Sequence, residues 1–396
     1  MIRNLLALSG FFFGAMPASA QQATAFFETL EGTVRQVPVA ELKGDALGDA
    51  AFLRLAGLEA LGALEAAQVC ELELLGGDLL RGQVEGLDEE RLGLGLAGGT
   101  RLTIGVDDLL ALRFPGRMRE GEPAPARPES GDRLYRLLPR GVDRVDGLLI
   151  GFSPEGIQFE GRVGERTYAW GDVVALFVEP LEEPAALDSK DATPVRVNLN
   201  DGGHFQANYQ SIGPDGVRLH NGSEEILLPL ELISELLVLN DRYALLAWQA
   251  VDSDAVLAPF DEPGGEPLGM VWKHQIDRSV GRQVLRVGGQ VWSRGIGVHA
   301  PSRLTWKLDG QWSHLRTQAG LQDQARVPRI KGSVHFRILV DGKVLYTSPL
   351  ARSGDAALVL PDVPLAGAQE LVLEVDDGGD GPVMDRANWL RPMLLR

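Results

Sequence analysis

Cysteine is almost missing: Cys70 stands alone in 396 residues. That excludes any disulfide within the chain, so the fold has to stand on buried apolar area. Positive charge is also scarce. Lys and Arg number 38 against 55 Asp and Glu, a formal net charge of -17, and this balance opposes binding to nucleic acid or to an anionic membrane surface. The one long apolar run, residues 5–16, is shorter than the roughly 18 to 20 residues that cross a bilayer. No transmembrane span is expected in the mature chain.

Catalytic signatures are lacking too. No G-x-S-x-G elbow occurs, Cys70 falls inside an expected strand, and the six histidines are scattered, with His204 and His220 not in a zinc-type pattern. A glycosidase needs two carboxylates roughly 5 to 10 Å apart on a scaffold that encloses the sugar. The strand–helix alternation of a (β/α) barrel is absent, and the repeats described below are too small to supply one. The chain reads as no enzyme.

What is present begins with a leader. Arg3 precedes the apolar run and Ala18-Ser19-Ala20 follows it, so residues 1–20 read as a cleaved secretory signal and the protein as exported, periplasmic or extracellular. Beyond it an internal repeat emerges. Alternating strands open three segments: VCELELL (69–75), RLYRLL (133–138) and VRVNL (195–199). A Gly-bearing turn and a second hairpin follow in each, and DLLALRF (108–114), DVVALFV (172–178) and LISELLV (232–238) close them. Period-2 alternation and turns near every 10 residues indicate small antiparallel barrels of SH3-like or Sm-like pattern at 68–118, 132–181 and 194–248. Residues 21–67 read as a degenerate fourth copy or as a short Ala/Leu/Gly-rich helix, a reading weakened by about 1 kcal/mol per interior glycine. Pro-rich, charged stretches at 119–131, 179–194 and 249–267 read as extended linkers.

Strand signals crowd residues 268–396, at 283–287, 302–308, 333–340, 357–360 and 371–375, with Asp309-Gly310, Asp341-Gly342 and Gly378-Gly379 between them. Such a series reads as a jelly-roll or galactose-binding-like sandwich, giving an all-β chain throughout. Within it stand RGIGVHAPS (294–302), GLQD (320–323), GSVHFRILVDGK (332–343) and LEVDDGGDGPVMDRANW (373–389). This combination resembles the NPCBM family, a carbohydrate-binding module first noted beside family 98 glycoside hydrolases. The resemblance covers residues 268–396 and implies the same sandwich and a glycan ligand.

Sugar recognition sets an aromatic ring against the apolar pyranose face and holds hydroxyls with planar polar groups. The expected carbohydrate site is therefore Trp292 as the stacking face, His299 and Asn388 as hydroxyl partners, Arg294 and Arg386 as charged donors, and Gln322 with Asp323. Trp306 alternates with Leu304 and Leu308 on an inward face, and Trp389 resembles an anchor of the terminal strand. Asp323, Asp376, Asp380 and Asp385 carry oxygen ligands that suit a structural calcium, with solvated carboxylates as the alternative. The chain departs from the family pattern at two places: Gln322 precedes Asp323 where two acids are usual, and Asp385-Arg386-Ala387-Asn388 replaces an Asp-His-Ala-Asp run. Two functions follow as expectations. One is an exported glycan-binding protein with the barrels as spacer or docking modules. The other is an envelope protein whose barrels and sandwich bind proteins and whose sugar site is lost.

Overall fold

The computed structural model describes residues 23–59, 61–62, 64–66, 68–86, 88–118, 123–180, 193–221, 224–256, 272–323 and 331–396. Every regular element among them is a β-strand or a one-turn 3-10 helix, so the chain is all-β. The expected leader lies outside the described residues, as do 181–192 and 257–267 of the expected linkers. Contacts divide the chain into two compact units, Met1–Leu239 and Asn240–Arg396.

In the N-terminal unit the three repeat segments share one strand order. In the third, Thr193–Leu199 pairs with His204–Gly213, which pairs with Gly216–Asn221, which pairs with Glu224–Leu228. A 3-10 turn at Leu230–Leu232 then leads into Ile233–Val238, which returns to pair with the first strand. Cys70–Leu74 and Leu109–Arg113 make the same first-to-last pairing, and so do Asp132–Leu138 and Val173–Phe177. Alternation explains why. In His204–Gly213 Phe205, Ala207 and Tyr209 point inward while Gln206, Asn208 and Gln210 do not, so one pleated face is apolar and must close over a core. Register shifts at Leu149/Gly151 and Tyr209/Ser211 fall at matching places in the long second strands, where an extra residue bends the ladder.

The segments are also joined edge to edge. Val173–Phe177 pairs with Leu109–Arg113, and Ile233–Val238 pairs with Phe52–Ala56. Residues 23–56 form three strands, Thr24–Glu28 pairing with both Val34–Pro38 and Phe52–Ala56. The helical alternative for the Ala/Leu/Gly-rich stretch does not form among the described residues, in keeping with the cost of its interior glycines. The Pro-rich stretch is not simply a solvated tether. Tyr135 Oη bonds both the N–H and the carbonyl of Ala126, and Arg127 pairs with Glu73 at 3.2 Å while lying over the Phe177 ring. The flanking prolines hold this backbone extended, which lets it lie along the sheet.

The C-terminal unit stacks two sheets. One orders Gln275–Ile276, Gly295–His299, Arg386–Leu395 and His314–Leu321; the other orders Ser253–Val256, Ser302–Lys307, Glu370–Val375, Phe336–Val340 and Lys343–Thr347. Ile296, Val298, Ala319 and Trp389 of the first sheet share a core with Leu304, Trp306, Ile338 and Leu373 of the second. The Phe336 and Trp389 rings meet edge to face at 5.0 Å, a favoured aromatic geometry. Trp306 and Trp389 are both sealed in this core.

One expected boundary moves. Residues 240–256, read as the end of the third repeat and the start of a linker, belong to the sandwich. Tyr243–Leu245 pairs with the terminal strand and Ser253–Val256 with Ser302–Lys307. The edge carbonyls and amides of both sheets need partners, and these strands supply them.

Candidate functional site

The RGIGVH stretch becomes the strand Gly295–His299, laid between Gln275–Ile276 and the terminal strand. Its glycines are there for close approach. A Cβ on Gly297 would run into the backbone of Arg278 and Ser279, so the chain crosses there only because no side chain stands in the way. The strand carries His299 to its end, opposite Arg386.

His299 is half-buried and stacks on Trp272, ring centres 5.5 Å apart and planes within 13°. Its Nδ1 lies 2.8 Å from the Ala300 carbonyl. A carbonyl can only accept, so Nδ1 carries the proton and Nε2 is left as an acceptor. Burial, and then the nearby Arg386 charge, push the imidazole below its ordinary pKa. The Arg386 guanidinium sits 5.7 Å from the Trp272 ring centre and forms no ion pair with a described residue. An indole, a neutral imidazole acceptor and an unspent set of guanidinium donors therefore meet at one partly open place.

The other expected sugar contacts lie elsewhere, each for a physical reason. Trp292 is 8% exposed and packs on Leu285, Val287 and Leu390, so it is no stacking platform. Arg294 is buried; its Nη1 donates to Asp277 Oδ2 and to the Ser293 carbonyl, and the guanidinium lies over Trp248. Asn388 is fully buried and donates to Gln322 Oε1 at 3.0 Å. Gln322 is buried too, accepting from the Arg286 amide and donating to the Val284 carbonyl. Asp323 accepts from the amides of Gly288 and Gly289. These three residues pin the 284–289 hairpin to the sheet, a positioning role.

The four carboxylates expected to hold a cation each accept from donors of the protein itself. Asp376 accepts from the His335 and Gly378 amides and pairs with Arg337. Asp380 accepts from Ser333 Oγ at 2.9 Å, and the buried Asp385 from the Ser333 amide at 2.9 Å. Asp323 is spent on the hairpin. Among the described residues no three His, Cys, Asp or Glu side chains form a metal-holding group. Burial, then the neighbouring carboxylates Asp380, Asp377 and Asp376, raise the Asp385 pKa to about 7.

Sequence reasoning left Trp272 out of the site. A signal was present: it follows the Pro/Gly-rich stretch in a segment without strand alternation, where an indole has no obvious core to enter.

The C-terminal unit is thus a two-sheet sandwich with a small polar and aromatic cluster at the end of a strand. Residues 266–395 match the family described as the NPCBM/NEW2 domain. The chain is 36% identical over 111 residues to a Renibacterium salmoninarum protein named "Putative endo-alpha-N-acetylgalactosaminidase", covering 28% of this chain and 7% of that protein. It is 32% identical over 120 residues to alpha-1,3-galactosidase B of Akkermansia muciniphila, covering 29% of this chain and 14% of that one. The chain thus spans under a sixth of the length of these relatives. Among solved structures, a CBM51 from Clostridium perfringens GH95 in complex with methyl-galactose is 23% identical, covering 38% of this chain and 99% of its own, with a TM-score of 0.31.

Proposed function

We propose that the protein is an exported, non-catalytic glycan-binding protein whose C-terminal sandwich holds a saccharide at Trp272, His299 and Arg386. His299 Nε2 accepts from one hydroxyl, Arg386 donates to its neighbour, and the Trp272 indole borders the ring face. The observation that carries the reading is the presence of all three groups together, inside the region that matches the NPCBM/NEW2 domain. The repeat segments act as spacer or docking modules, and Asp323, Gln322 and Asn388 hold the hairpin beside the site. Export rests on the N-terminal leader pattern; no helix among the described residues is long and apolar enough to cross a membrane.

The names of the relatives suggest probes. Isothermal titration of the full chain with methyl galactoside and N-acetylgalactosamine is expected to give binding that Trp272→Ala or Arg386→Ala weakens at least tenfold, while Trp292→Ala leaves it in any variant that folds. Equal affinity in all three variants overturns the site.

One observation favours the rival, a protein-binding envelope component. Val344 and Leu345 are 53% and 44% exposed on Lys343–Thr347, an edge strand with one partner among the described residues, and such an edge can take up a further strand. That reading predicts capture of a partner from the exported fraction that free sugars do not displace.

A further inference from the structure

A cleft of about 350 Å³ opens within the N-terminal unit. Gln83 and Glu85 of the strand Leu79–Gly86 line it together with Gln68 and Arg101, and so do Arg117 and Trp170 of the 3-10 turns Pro115–Arg117 and Trp170–Asp172.

Arg117 is the unusual member. Its Nη1 donates to the carbonyls of Trp170 and Val173, and its guanidinium carbon sits 3.5 Å from the centre of the Phe114 ring. No described carboxylate pairs with it, although the chain carries 55 acidic residues. Asp172 acts on it only at a distance, and burial pulls its pKa down. A half-buried cation without a counter-charge costs free energy unless something else offsets it. The Nε and Nη2 groups donate to no described residue and are not sealed from solvent. They form the edge of the guanidinium that grips a carboxylate with two parallel hydrogen bonds.

The surroundings fit a hydroxylated ring. Gln83 donates to Gln68 Oε1 at 3.0 Å, which leaves Gln83 Oε1 as an acceptor toward the cleft. Trp170 is fixed by its Nε1 bond to the Ser153 carbonyl at 3.0 Å and by Phe152 stacked at 6.1 Å. Glu85 is matched by Arg101 at 2.6 Å, so the cleft carries a net positive charge in an acidic protein. Planar amides, a clamped indole and one unmatched guanidinium describe a small acidic sugar better than an apolar ligand.

We propose that this cleft binds a carboxylate-bearing sugar residue, its carboxylate on the open edge of Arg117, its hydroxyls on the Gln68–Gln83 pair and its ring against Trp170. This site is separate from the one proposed on the sandwich and adds a second, acidic specificity to the chain.

The test is ligand-observed NMR and titration of the full chain with D-glucuronic acid, with D-glucose as the neutral control and an oligoglutamate peptide as the competing source of carboxylates. Glucuronate is expected to bind at least tenfold tighter than glucose. Arg117→Gln abolishes that preference; Gln83→Ala, on an exposed side chain, weakens glucuronate severalfold without moving the melting temperature. Arg117→Gln also abolishes the preference that remains in an Arg386→Ala background, which separates this cleft from the sandwich site. Equal affinity for glucose and glucuronate overturns the proposal, as does glucuronate binding unchanged in folded Gln83→Ala. Oligoglutamate binding tighter than glucuronate overturns it in favour of an acidic peptide.

Discussion

His299 and Asp385 lie on neighbouring strand ends, and burial acts on them with opposite consequences. The imidazole is kept neutral, its pKa depressed by burial and Arg386. Stability from that neutral ring is fully present above the ordinary imidazole value and is lost as pH falls from there through the lower folded value. Sugar binding through Nε2 should accordingly persist as pH falls past the ordinary imidazole value, which a titration series at stepped pH would show. Asp385 runs the other way. Its carboxyl is raised to about 7, so the folded state favours the protonated form, and stability declines as pH rises from about 4 toward 7. Asp385→Asn is expected to flatten the melting temperature across that window; an unchanged slope would contradict the assignment. Asn388→Ala should lower stability by about 1–3 kcal/mol in denaturant melts, because a buried hydrogen-bond partner is removed. Trp292→Ala should cost about 3–5 kcal/mol, marking it as packing and not as a ligand face.

Strand identity was legible in the sequence wherever apolar and polar residues alternate: Cys70–Leu74, His204–Gly213 and Ser302–Lys307 all show the pattern. Which indoles are buried was not. Trp292 and Trp272 are the same residue type 20 positions apart, and only the packing of Leu285, Val287 and Leu390 around Trp292 sets it in the core while Trp272 stays half-buried. Partner choice was equally hidden, since Tyr243–Leu245 is too short to announce that it pairs with the terminal strand about 150 residues later. That pairing has a consequence. A fragment of 268–396 lacks two edge strands that a fragment of 240–396 keeps, so the shorter one should melt lower and aggregate more readily in a side-by-side thermal comparison. Equal melting temperatures would show that those strands contribute nothing.

At the scale of the molecule, a chain with no disulfide is held together by apolar packing: each unit has one large core, and smaller clusters form around Trp292 and around Phe177. Neither core needs a catalytic cleft, and each unit is built of strands whose ends present loops and turns, the usual places for recognition. Motif combination made the sandwich and its class legible, because four separated stretches had to match together. The repeats carried no such label, as pattern alone names a shape and not a ligand. Sugar recognition by the sandwich is proposed to run through the Trp272, His299 and Arg386 cluster. A glycan array probed with the full chain and with His299→Ala tests it most directly. The parent chain is expected to bind a defined set of glycans and the variant to lose that set; no bound glycan, or the same set in both, rules the cluster out.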